Sequence, residues 1–132
     1  MVAGEKMENL ITKLVIHISA ADGYLSEVEI DKAYKELSNI YKISKENFDN
    51  CVDQFFQEDQ HIEDYLLLLK EVSEPEIMLD VCYKAAASDD FDIRENFAFT
   101  KACVFFEINP DDIIKNAETS WRHPITKIIN KN

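Results

Sequence analysis

Met7, Leu10, Ile11, Leu14, Val15, Ile18 and Ala21 recur at the three-and-four spacing of a helix buried along one stripe. Beyond Asp22-Gly23 the same period resumes with Ile30, Ala33, Tyr34, Leu37, Ile40 and Tyr41, which predicts a second helix ending near Lys42. Ser44 reads as the N-cap of a third, whose apolar positions are Phe48, Cys51, Val52, Phe55 and Phe56. Gln57-Glu58-Asp59-Gln60 breaks the pattern, and a fourth helix is expected from about His61 to Val72. Ser73-Glu74-Pro75-Glu76 combines an N-cap serine with an early proline, so a fifth helix opens there and buries Ile77, Met78, Val81, Cys82 and Ala85. The sixth carries Ala98, Phe99, Ala102, Phe105 and Phe106. The seventh, opened by Asn109-Pro110-Asp111-Asp112, carries Ile113, Ile114, Ala117 and Trp121. His123-Pro124 interrupts it, and Ile125, Ile128 and Ile129 suit either a last docked turn or a tail. No β-type alternation persists, so the expectation is an all-α, single-domain bundle of about seven helices spanning 1–132.

Two of the joins between helices are alike. In the first, Gly23 follows Asp22 where a helix must end, and glycine takes the left-handed backbone at little cost. Ser26 with Glu29 then forms a capping box, the hydroxyl accepting a free N–H of the first turn while the carboxylate accepts the Ser26 N–H. In the second, Ala86-Ala87-Ser88-Asp89-Asp90-Phe91 leads to Asp92 and Glu95, the same box in acidic form. Tyr41-Lys42-Ile43-Ser44-Lys45 likewise matches Phe106-Glu107-Ile108-Asn109-Pro110. The offset drifts from 67 between Asp22 and Asp89 to 66 between Ser26 and Asp92 and 65 between Ile43 and Ile108. An internal two-fold helical repeat, with halves of about 5–57 and 74–122, is therefore expected, its second turn slightly shorter and with Asp90 in place of the glycine.

The stretch Ser19 to Glu29, Ser-Ala-Ala-Asp-Gly-Tyr-Leu-Ser-Glu-Val-Glu, resembles the signature of TerB-like domains. That family takes in tellurite-resistance proteins and the N-terminal domain of a membrane-anchored DnaJ-type co-chaperone. The resemblance implies an all-helical domain of about this length with an internal repeat. It also implies work in a stress-response or membrane-associated assembly.

Composition narrows the function classes. A chain of 132 residues with 46% hydrophobic positions is long enough to bury one core without staples. No apolar run approaches the roughly 20 residues of a membrane span, and the first residues lack the regions of a signal peptide, so a cytoplasmic protein without direct membrane insertion is expected. Cys51, Cys82 and Cys103 are odd in number, scattered and at apolar positions, which suits buried free thiols rather than disulfides or a zinc site. With 26 acidic and 14 basic residues the net charge is −12, which repels phosphate backbones and disfavours nucleic acid as a partner. Cations and basic protein surfaces are better partners. A protein partner is expected and a homo-oligomer is left open.

The chemistry lies in the two turns. Hard cations such as calcium or magnesium need several oxygen ligands close together. One turn offers Asp22, Ser26 and Glu29, and the other Asp89, Asp90, Asp92 and Glu95, of which Asp22, Glu29, Asp89, Asp92 and Glu95 are the expected ligands. A pseudo-two-fold packing of the halves, as the resemblance implies, would bring them together. Against this, Glu29 and Glu95 have capping roles, the positive helix ends oppose a cation, and Asp22 also suits a turn-former bonded to local N–H groups. Neither turn has the register of an EF-hand loop. Glu58-x-x-His61 resembles one ligand pair of a di-iron bundle, but no second pair exists, and solvent exposure accounts for it. No phosphate loop, nucleophile elbow or Cys/His cluster is present, so no enzyme is expected. The reading is a non-catalytic acidic helical module binding a divalent cation at its turns. The alternative is a metal-independent module that docks a basic partner surface.

Overall fold

The structure, a computed structural model, describes residues 6–89 and 91–122, the last four by backbone alone. Seven helices follow one another: α1 Met7–Ser19, α2 Glu27–Tyr41, α3 Lys45–Gln57, α4 Ile62–Leu68, α5 Pro75–Ala87, α6 Ile93–Phe105 and α7 Pro110–Arg122. Among the described residues there is no strand. Asp90, the side chain of Trp121 and the segment from His123 onward lie outside the description.

α1 and α5 form the centre. α1 packs on α2, α3, α4, α5 and α6, whereas α5 packs on α1, α2, α6 and α7. This surroundings explains a departure from the expected single stripe. Leu10 to Ile16 are buried without interruption, and so are Ile18 and Ser19, because a helix enclosed on all sides has no solvent face. Lys13 is consequently buried. Its Nζ donates to Glu58 Oε2 at 2.7 Å, and Glu58 Oε1 accepts the Tyr65 hydroxyl at 3.0 Å. Glu58 is thus half-buried and structural, not the solvent-exposed side chain expected from its spacing to His61.

Two helix starts also differ from expectation. Glu74, not Ser73, occupies the N-cap of α5, in the left-handed region at φ 56°, and Pro75 takes the first helical position. Proline disfavours the right-handed helical region in the residue before it, so Glu74 cannot extend the helix backward. α4 ends at Leu68, short of Val72, its last carbonyls taken up by a tightened turn through Leu69. The core between these helices is continuous and contains Leu14, Leu37, Phe48, Tyr65, Met78, Phe99 and all three cysteines as free thiols. Burial raises the Cys82 thiol well above its ordinary range and pushes Cys103 up to about 12.

Candidate metal centre

The site begins with two helix starts. At the first, Glu29 N–H donates to Ser26 Oγ and Ser26 N–H donates to Glu29 Oε1, both at 3.1 Å. At the second, Glu95 N–H and Arg94 N–H donate to Asp92 Oδ1 at 3.0 and 2.9 Å, and Asp92 N–H donates to Glu95 Oε1 at 3.1 Å. Both capping boxes form as the sequence predicts, since each needs only residues three apart. Gly23 takes φ +88°, and Asp22 Oδ1 accepts the Tyr24 N–H at 3.0 Å, so Asp22 does form its local turn.

These turns leave the C-terminal ends of α1 and α5, which pack on each other, and they meet. One carboxylate oxygen each from Asp22, Asp92 and Glu95 lies within 4.8 Å of the others. Glu29 adjoins Glu95 directly, close enough for their carboxyl groups to share a hydrogen bond. Burial separates the four: Glu95 is fully buried and Glu29 is 3% exposed, whereas Asp22 and Asp92 are half-buried at the mouth. Asp89 does not join them. It is exposed in the turn after α5, and Asp92 takes the place at the corner that the sequence offered to both.

The electrostatics follow from this crowding. Glu95 Oε2 is buried and receives no hydrogen bond among the described residues. Desolvation and the Glu29 carboxyl beside it push the Glu95 pKa up to about 8, with Asp22 adding to the effect and the Asp92 N–H opposing it. The crowding therefore disfavours the charged form of Glu95. Arg94 gives little relief, its guanidinium being 3.7 Å from Asp92 Oδ2 and largely in solvent. The corner thus gathers oxygens of Asp22, Asp92 and Glu95, with Glu29 beside Glu95 but outside that trio, and Glu95 Oε2 there has no donor among the described residues. A cation that binds oxygens at 2.3–2.6 Å spans ligand atoms up to roughly 5 Å apart, which matches the separation here.

The direct meeting of Glu29 and Glu95 was not foreseen. Its signal was present in the sequence, because the two residues hold the same position in two capping boxes. No family model, curated protein or solved structure compared with this chain matches it, so the site rests on its own geometry.

Proposed function

We propose that this chain is a non-catalytic helical module that takes up a divalent cation at the corner formed by Asp22, Glu29, Asp92 and Glu95. The observation that carries the reading is the buried, donor-less Glu95 Oε2 among three further carboxylates. A calcium or magnesium ion would displace the Glu95 proton and satisfy that oxygen while Glu29 and Glu95 keep their other oxygens on the helix starts.

We further read the chain as an internal duplication of TerB-like type. In support, Lys42 and Glu107, at matching positions in the two halves, both take the left-handed conformation, at φ 60° and 58°. The Ser26–Glu29 and Asp92–Glu95 capping boxes match in the same way. Such a module belongs in a stress-response or membrane-associated assembly and works in the cytoplasm, where a protein partner would read the ion-bound corner. No helix among the described residues is long and apolar enough to cross a membrane.

Calorimetric titration with calcium, magnesium, manganese and zinc, together with thermal shift, tests the ion. Saturable heat is expected in the wild type and none in Glu95→Gln. An ion present at 100 times its Kd should stabilise the fold by about 2.7 kcal/mol. Absence of heat and of any shift at millimolar ion removes the metal. The rival reading, an acidic face docking a basic partner without an ion, draws on the net charge of −12. It predicts ion-independent binding that weakens as salt screens the charges.

A further inference from the structure

α6 is apolar on two sides. Its inner residues Ala98, Phe99, Ala102 and Cys103 are in the core, yet Ile93, Phe97 and Val104 are 82%, 71% and 64% exposed. A helix packed on one side normally turns polar residues outward. Ile93 and Phe97 instead wall a groove of about 410 Å³, completed by Ala98, by His17 in the last turn of α1, by Ala21 just beyond it, and by Ile62 at the start of α4. That volume falls within the range of small-molecule sites.

The rim is basic on a strongly acidic protein. Arg94 and Lys101 line the groove, and none of its eight lining residues is acidic. Glu63 and Asp92 approach these two cations from outside the groove as exposed or half-exposed partners, which compete weakly. His17 adds a further polar atom. Its ring stands edge-on to Phe55 and Tyr65, and its Nδ1 is buried with no hydrogen-bond partner among the described residues. A buried polar atom left unpaired is unfavourable, and one in a groove wall is a place for a ligand's polar group.

We propose that this groove binds an aliphatic carboxylate of medium or long chain, its alkyl part along Ile62, Ile93 and Phe97 and its carboxylate against Arg94 and Lys101. Eight lining residues fall short of the roughly 20–30 a side that a stable protein interface uses. A second copy joined by a two-fold axis through this face would set Arg94 and Lys101 against their own equivalents. The sequence after Arg122 holds Lys127 and Lys131 and no acidic residue, so its charge does not complement a basic rim.

The test uses the full chain, calorimetry, and octanoate, decanoate and dodecanoate below their aggregation concentrations, with decan-1-ol as the uncharged comparison. Saturable one-to-one binding is expected, tightening up to about four-fold for each added CH₂. Arg94→Gln with Lys101→Gln should weaken decanoate at least about ten-fold and leave decan-1-ol unchanged. Phe97→Ser should weaken both. All three side chains are exposed, so circular dichroism should show the variants folded. The proposal is overturned if decanoate does not saturate, or if the charge variant binds it as the wild type does. It is equally overturned if a glutamate-rich amphipathic peptide occupies the groove and decanoate cannot displace it. A wild-type dimer in sedimentation that Phe97→Ser dissociates and decanoate leaves intact also overturns it.

Discussion

Replacing Glu95 with glutamine should make the protein less sensitive to pH, and the sign follows from the crowded corner. The folded-state pKa of Glu95 is pushed up to about 8, above its ordinary value, by desolvation first and the neighbouring Glu29 carboxyl second. Between the ordinary glutamate range and about pH 8 the folded chain therefore holds a proton that the unfolded chain releases. Stability linked to this group is full below the unfolded pKa and is lost as pH rises toward 8, with a slope of at most about 1.4 kcal/mol per pH unit. Two units inside that window give roughly 2–3 kcal/mol, as an upper limit. The amide of Glu95→Gln can still accept the Asp92 N–H and can donate to Glu29 permanently, standing in for the proton. Asp22, Glu29 and Asp92, which act on the group, are unchanged by the substitution. Wild type and variant should then be about equally stable near pH 5, with the variant ahead by pH 8. Urea denaturation of both proteins in a chelator, from pH 5 to 9, measures the difference directly. Each kcal/mol corresponds to roughly 3–5 °C in Tm for a chain of this size. A constant difference across that range would refute the account of the Glu95 proton.

Three further outcomes can be checked with simple variants. Glu58→Ala should cost about 1–3 kcal/mol in chemical denaturation, because it removes the carboxylate that accepts from both the buried Lys13 and the Tyr65 hydroxyl. Gly23→Ala should cost only about 1 kcal/mol of backbone strain, since a Cβ there meets nothing within 4 Å. A larger loss in thermal melts would mean the turn is packed more tightly than described. Cys51, Cys82 and Cys103 should react with a thiol reagent at pH 8 at least about 100-fold more slowly in the folded protein than in urea.

What could be read from the residues divides by range. Seven helices and the two capping boxes were legible because period and caps are local, fixed by neighbours three and four apart. The convergence of Asp22, Asp92 and Glu95 needed the repeat as well, since only matching halves suggest that distant turns meet. Asp89 and Asp92 were both read from the second turn, and the residues alone did not separate them: Asp92, the N-cap of α6, reaches the corner, whereas Asp89 is exposed. Lys13 could not be placed from its own surroundings. A lysine in an amphipathic pattern reads as a solvent residue, and its burial follows from the elements that wrap α1 on every side. The groove was hinted at by Ile93 and Phe97, which lie off the inward face of α6.

The enclosure of α1 also bears on the order in which the molecule can assemble. α1 packs on α5 and α6, both made after it during synthesis, and its ion pair to Glu58 spans 45 positions. Until those later segments have been synthesised, Leu14, Val15 and Ile18 have no complete interior to enter. Synthesis therefore leaves the apolar surface of α1 uncovered until α5 and α6 have followed it.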